Sequence, residues 1–92
     1  MTQTTDTKAQ DATLALLAAR APGATICPSE VARALATARS AGGHQVDWRD
    51  MMPTVHAAID LLVIDGRVRL SWKGQPLEVR AGPYRIRRAP EP

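Results

Sequence analysis

The sequence predicts one α+β domain in which three helices precede a small antiparallel sheet. Two observations carry this prediction. Apolar residues recur with a helical period in three blocks of the first 65 positions, and proline or glycine separates the blocks. From residue 67 onward the period becomes 2, which is typical of half-buried strands. We expect the domain to span residues 6–88, with frayed ends at 1–5 and 89–92.

The first helix is expected to begin at Asp6 or Asp11, because either side chain can cap a helix, and to end near Arg20. The sequence Ala-Pro-Gly at 21–23 stops it, since proline disfavours helical backbone in the preceding residue and glycine accepts a left-handed cap. The β-branched residues at 25–26 then predict a very short strand.

A second helix follows, with Pro28 at its first helical position and Glu30 in its first turn. Proline needs no N–H there, and the positive end of the helix dipole stabilises a carboxylate. The glycine-containing loop at 40–45 ends this helix. The helical period predicts an inner face made of Val31, Ala34, Leu35 and Ala38.

The third helix begins after Asp47, whose carboxylate can cap it, and ends at Asp65-Gly66. An apolar stripe keeps one phase from residue 48 to residue 62, whereas Pro53 opposes an unbroken helix. We therefore expect a kink, or a short turn at 48–51 before the helix proper. The stripe comprises Trp48, Met51, Met52, Val55, Ala58, Ile59 and Leu62.

Two antiparallel strands come last, and the segment 73–83 between them begins with a Lys-Gly turn. Leu77 and Val79 in this segment can form a small edge strand. The apolar set of the two strands is Val68, Leu70, Trp72, Tyr84 and Ile86, and the alternating polar set is Arg67, Arg69, Ser71, Arg85 and Arg87. Because the apolar set faces the core, we expect core packing for Trp72, as for Trp48.

This order of elements, with a two- to three-stranded wing, predicts a winged helix-turn-helix, a fold in which the third helix often reads DNA. Several motifs point to a family as well: CPSEVARAL at 27–35, Trp48-Arg49 with Met52, Gly66, Lys73-Gly74, and Gly82-Pro83 before YRIR at 84–87. With these motifs the chain resembles, over residues 12–88, a small bacterial domain family of uncharacterised function that is thought to adopt a winged-helix-like fold. The resemblance implies the fold and no activity.

Positive charge is concentrated near the C-terminus. The chain has a net charge of +3, but residues 66–90 contain seven basic residues and one acidic residue. Such a segment attracts phosphates through Coulomb attraction and counterion release. Two alternatives stay open: the arginines can form a solvated strand face with their stems on the sheet, or they can bind an acidic protein.

The first hypothesis for function is therefore DNA binding through a basic wing, and a protein that binds DNA in this way is a candidate transcriptional regulator. Its contacts would be with the backbone of double-stranded DNA. Arg49 and His56 would enter the groove. The residues expected to contact phosphates are Arg67, Arg69, Lys73, Arg85, Arg87 and Arg88.

A second hypothesis uses the outer face of the third helix, which is poorly suited to reading bases. Base readout relies on Arg, Lys, Asn or Gln, whereas this face offers one arginine at its start and the acidic Asp60. Ala57, Leu61 and Ile64 on the same face favour contact with a protein. The alternative function is a protein-interaction or dimerisation module without a nucleic-acid role.

The sequence predicts neither an enzyme nor a metal or cofactor site. Cys27 lies near a helix N-terminus, but a catalytic cysteine needs a histidine base, and His44 and His56 lie in a glycine loop and on a helix flank. We expect a buried cysteine that reacts slowly, and neither histidine has the spacing of a metal ligand. Apolar runs are far shorter than the about 20 residues of a membrane span, and no signal peptide is evident. The expected location is the cytoplasm.

Overall fold

The computed structural model describes residues 3–40 and 45–89, and its layout is α+β, as the sequence predicts. Within these residues, three α-helices and a 3-10 turn precede a three-stranded antiparallel sheet, which is the arrangement of a winged helix. The helices are α1 (Gln3–Ala18), α2 (Pro28–Ser40) and α3 (Met52–Ile64), and the 3-10 turn spans Trp48–Met51. The strands are β1 (Val68–Trp72), β2 (Gln75–Leu77) and β3 (Arg85–Arg88), in the order β2-β1-β3.

The helix α1 begins at Gln3, upstream of both Asp6 and Asp11, so the predicted start at either aspartate is wrong. The reason is that residues 3–21 contain neither proline nor glycine, and nothing there interrupts a helix. This helix includes residues 3–5 of the segment expected to fray. Residues 90–92 of the expected C-terminal tail lie outside the described residues.

A side-chain cap fixes the start of α2. The Cys27 backbone N–H donates to Oε2 of Glu30 at 2.8 Å, and Pro28 is the first helical residue, as predicted. Arg20 also donates to Oε1 of Glu30 at 2.7 Å. The hydrogen bond from the Cys27 backbone, with a further contribution from Arg20, holds the pKa of Glu30 below its ordinary value of 4.5.

The buried face of α2 is rotated from the predicted one. Ala34 is only half-buried and Ala38 is exposed, so the prediction for these two residues is wrong. The residues that α2 buries are Val31, Ala32, Leu35 and Ala36. Alanine occurs all round this helix, so the sequence offers too little contrast between its faces to fix the rotation.

The predicted short turn before the third helix is confirmed. The Asp47 carboxylate accepts the Arg49 N–H at 3.0 Å and caps the 3-10 turn, after which α3 begins at Met52. Pro53 then occupies the first turn of α3, where its missing N–H leaves no helical hydrogen bond unmade. Five residues of the predicted stripe are buried: Met51, Val55, Ala58, Ile59 and Leu62.

The sheet joins the wing to the segment between α1 and α2. Lys73 and Gly74 have φ of 52° and 81°, so β1 and β2 are connected by a turn with left-handed backbone at both central residues. Ile26 exchanges two backbone hydrogen bonds with Ile86, at 2.9 and 2.8 Å. The very short strand predicted at 25–26 is thereby confirmed as an antiparallel bridge to β3.

Core packing of Trp72 is the wrong part of the sheet prediction, because this residue is 37% exposed. β3 pairs with β1 only as far as Ser71, so Trp72 lies beyond that pairing, opposite Gln75 of β2. Trp48 is half-buried and packs against the core. The apolar residues of β1 and β3 that the core does bury are Val68, Leu70 and Ile86, with Tyr84 beside them.

Candidate nucleic-acid interface

The outer face of the sheet brings together basic residues that are distant in sequence. In the pairing of β1 with β3, Arg69 lies directly opposite Arg87, and Ser71 lies opposite Arg85. Side chains at such positions have Cβ atoms about 4.5–5.5 Å apart, so the two guanidinium groups repel each other. Within residues 3–40 and 45–89, neither Arg69 nor Arg87 forms an ion pair with a carboxylate.

These side chains border an open groove of about 430 Å³, which we call the sheet groove. Every charged residue in its lining is basic, and two hydroxyl groups accompany the cations. Its polar lining consists of Thr25, Arg69, Ser71, Lys73, Arg85 and Arg87. Leu70, Gly74 and Pro76 complete the wall. An anion in this groove would meet four cations.

Arg85 has a fixed position in the sheet groove. Its Nε–H donates to Oγ1 of Thr25 at 2.8 Å, and Nη2 donates to the Thr25 backbone oxygen at 3.1 Å. The side chain is half-buried, in contrast to the exposed Arg69 and Arg87. The bridge between Ile26 and Ile86 holds Thr25 in place. Sequence reasoning placed Arg85 on this face and missed its partner, since the contact joins residues 60 positions apart.

The remaining predicted phosphate contacts lie outside the sheet groove. Arg67 is exposed and directly precedes β1. Arg88 pairs with the buried Val68, which places it on the opposite side of the sheet from Arg87, and its Nη2 donates to the backbone oxygen of Arg20 at 3.4 Å. Arg88 therefore contacts the turn that follows α1 and does not join the groove.

Arg49 forms a separate cluster at the start of the 3-10 turn. Its guanidinium carbon lies 4.7 Å from the centre of the Trp48 ring, and that of Arg33 on α2 lies at the same distance. Arg49 also meets the Asp47 carboxylate at 3.4 Å. The periodicity of the sequence does not single out Arg33, because its contact with Trp48 depends on how α2 packs against the 3-10 turn.

His56 is engaged by the wing and does not project freely from α3. Its Nδ1 lies 2.6 Å from the Tyr84 hydroxyl, a hydrogen bond that joins α3 to the residue before β3. Burial, with a smaller effect of Arg80, lowers the pKa of His56 below its ordinary value of 6.5. Burial likewise raises the pKa of Tyr84, so both rings are neutral at neutral pH.

A second link holds the same loop against α3. Nε and Nη2 of Arg80 each donate to a different oxygen of Asp60, both at 3.0 Å. Residues 80–84 thus lie across part of the helix face that the DNA hypothesis directs into a groove. Fewer side chains on that face are therefore free to contact DNA than the helical period of the sequence predicts.

The residues expected to contact a protein are exposed, and an apolar residue of the loop after β2 lies beside them. Ile64 is 78% exposed and Leu61 41%, and Ala57 beside them is exposed. Val79, from the loop after β2, is 72% exposed and lines a shallow cavity of about 370 Å³ together with Ile64. The sequence pattern predicted an edge strand that includes Val79, but β2 ends at Leu77. The position of Val79 beside α3 was not predicted.

Cys27 is half-buried, and its sulfur lies 3.2 Å from the Ser29 hydroxyl. Neither histidine accompanies it among the contacts of the described residues, since His56 is bound to Tyr84 and His44 lies outside them. The part of the chain that the structure describes contains no group of three or more metal-ligating side chains. None of its helices is both long and apolar enough to cross a membrane.

Comparison with known protein families shows to which family the chain belongs. A family model described as "Protein of unknown function (DUF3253)" matches residues 6–89, which is most of the chain. The chain therefore belongs to this family, and the resemblance to an uncharacterised domain family is confirmed. A search of curated proteins finds no match.

Proposed function

We propose that this member of the DUF3253 family is a small cytoplasmic protein that binds double-stranded DNA through its backbone phosphates, using the outer face of the wing. The observation that supports this most strongly is the register of Arg69 opposite Arg87, two exposed cations without an ion-pair partner among the described residues. A phosphate between them would relieve the repulsion of the two guanidinium groups. Lys73 and Arg85 extend the same surface.

The proposed contacts are with the DNA backbone, so the protein should distinguish only weakly between DNA sequences. On α3, His56 is bound to Tyr84, and Asp60 carries a negative charge beside the bound Arg80. Side chains committed to partners within the protein are unavailable for the bidentate contacts that distinguish bases. Regulation of transcription by such a protein would need a partner or a second subunit to supply sequence selectivity.

Electrophoretic retardation of a duplex of mixed sequence at low salt tests the proposal. Wild-type protein should retard the duplex, and the double variant Arg69→Gln/Arg87→Gln should bind at least about tenfold more weakly, because charge-assisted contacts are lost. Lys8→Gln, which removes one exposed charge on α1, is the control for loss of charge away from the sheet and should bind like the wild type. Equal binding by all three proteins would contradict a role for the sheet face.

A second candidate function, protein association, is supported by the exposure of Ile64 and Val79. Ile64 and Val79 are 78% and 72% exposed and line one shallow cavity, so they form a contiguous apolar patch of the kind that protein partners cover. The partner would be a second copy of this chain or another protein with an apolar patch. Binding of DNA by the wing and association through α3 use different residues and are compatible.

A further inference from the structure

We propose that the sheet groove is a site for a phosphate group with two negative charges, the charge state of a phosphate monoester. Such a group occurs at the phosphorylated end of a nucleic-acid strand and on small phosphorylated molecules. The proposal rests on the proposed function, because it names the group that the same surface binds most tightly. An internal backbone phosphate is a diester and carries one negative charge.

The charge of the sheet groove matches a dianion. Arg69, Arg87 and Lys73 are exposed at its border, and Arg85 lies half-buried within it, so four positive charges converge on about 430 Å³. No acidic residue belongs to the lining that the structure describes. The Glu30 carboxylate, outside the lining, also attracts Arg85. Of the four positive charges, a single negative charge in the groove would compensate one and a dianion would compensate two.

Arg85 supplies a donor whose position is set before any ligand arrives. Thr25 accepts hydrogen bonds from Nε and Nη2, which uses two of the five N–H groups of the guanidinium. The other three N–H groups remain as donors. A side chain held in this way loses little conformational entropy on binding, in contrast to a free surface lysine or arginine.

Two hydroxyl groups complete the set of donors. Oγ1 of Thr25 accepts the Nε–H of Arg85, which leaves its own hydroxyl hydrogen for another acceptor. Ser71 is the register partner of Arg85 and lines the groove from β1. A phosphate monoester presents three terminal oxygens, enough to accept from the guanidinium and both hydroxyls together.

The volume of the groove allows the phosphate to enter with the molecule that carries it. Sites for small molecules typically occupy about 300–1,000 Å³. Gly74 in the turn of the wing and Pro76 on β2 form a wall without charge against which a sugar can lie. The site therefore suits a phosphorylated nucleoside or strand end better than a bare ion.

The first test compares two probes that differ by one charge. At about pH 8, methyl phosphate is a dianion and dimethyl phosphate a monoanion, so titration of each at equal ionic strength isolates the second charge. We expect methyl phosphate to shift the backbone amide resonances of Thr25, Ser71 and Arg85 with saturation, and dimethyl phosphate to bind at least about tenfold more weakly. Equal affinities for the two probes would overturn the proposal.

Substitutions test whether methyl phosphate binds in the sheet groove. Arg69→Gln and Lys73→Gln remove exposed charges of the groove and should each weaken methyl phosphate binding by about tenfold, whereas Arg88→Gln, on the other side of the sheet, should leave it unchanged. Thr25→Val keeps the shape of the side chain and removes the hydroxyl that orients Arg85, so it should also weaken methyl phosphate binding. A normal affinity in both Arg69→Gln and Lys73→Gln would overturn the proposal whatever Thr25→Val does.

Two duplexes identify the source of the phosphate. A short duplex with 5′-phosphate ends should bind more tightly than the same duplex with 5′-hydroxyl ends if the ligand is a strand end. Equal binding of both duplexes, combined with tight binding of methyl phosphate, supports the site with a small phosphorylated molecule as its ligand. If both duplexes bind and methyl phosphate does not, the proposed DNA binding holds and this inference fails.

Discussion

The Tyr84 hydroxyl lies 2.6 Å from Nδ1 of His56, and this hydrogen bond ties the end of the wing loop to the middle of α3. Tyr84 is buried at the edge of the core, so the bond is shielded from water on its side. One helical turn along α3, the Arg80–Asp60 ion pair repeats the connection. Together they engage part of the helix face that could read DNA in contacts within the protein, while Ala57, Leu61 and Ile64 on that face stay exposed.

Acid should loosen this connection. The pKa of His56 is lower in the folded protein than its ordinary value of 6.5, because burial and Arg80 disfavour the charged ring. As pH falls below 6.5, the unfolded chain takes up a proton before the folded chain does, so the free energy of unfolding decreases and levels off below the folded pKa. Urea denaturation at about pH 7.5 and about pH 5.5 measures the effect.

The two histidines give a matched pair of variants for that experiment. His56→Gln should remove this part of the pH dependence, because glutamine does not titrate. His44→Gln makes the same chemical change at the other histidine and should retain the decrease. A decrease of equal size in the His56→Gln protein would show that its cause lies elsewhere.

The cap of α2 should contribute measurably to stability. Glu30→Ala removes the acceptor of the Cys27 N–H and the partner of Arg20, so we expect the free energy of unfolding to fall by about 1–2 kcal/mol. Glu30→Gln keeps an acceptor for the Cys27 N–H and should lose less. Thermal or urea unfolding at neutral pH ranks the three proteins, and an unchanged Glu30→Ala protein would contradict the role of the cap.

The lowered pKa of Glu30 also predicts that the folded protein loses stability at lower pH. Since its folded pKa is below 4.5, the folded state gains stability from the ionised carboxylate, fully at pH above 4.5. This stability is lost as pH falls from 4.5 through the folded pKa. The Glu30→Gln protein should lack that loss, which a denaturation series at low pH can detect.

The alternative function makes its own prediction on α3. Ile64 is 78% exposed, so Ile64→Asp should change the free energy of unfolding by no more than about 0.5 kcal/mol. If this face mediates self-association, sedimentation equilibrium shows a dimer of the wild type at high concentration and a monomer of Ile64→Asp. A wild type that stays monomeric removes the homodimer form of this function.

Much of the fold follows from local patterns in the sequence. Pro53 within an apolar stripe predicts the short turn at 48–51, and the change of period after Gly66 predicts the wing. These features depend on backbone chemistry and residue spacing, which a sequence displays directly. Trp72 shows the limit of such patterns: alternation assigns it to the inner face, but the pairing of β3 with β1 ends at Ser71, and Trp72 stays partly exposed.

Part of the candidate site was also predictable from the sequence, and part was not. Alternation correctly places Arg69, Arg85 and Arg87 on one face, because strand geometry fixes the side of each residue. The bond of His56 to Tyr84 and that of Arg85 to Thr25 were not predictable, since each joins elements far apart in sequence. Such contacts depend on how the loop and the bridge strand pack, about which a single sequence carries no local signal.

The salt dependence of DNA binding tests the central claim most directly. If the wing face contacts about four to six phosphates, a plot of the logarithm of the binding constant against the logarithm of salt concentration should have a slope of about −4 to −5. Arg69→Gln/Arg87→Gln should make the slope less negative by about two, and Lys8→Gln should leave it unchanged. A slope near zero, or one that the double variant does not alter, would contradict binding of DNA through this face.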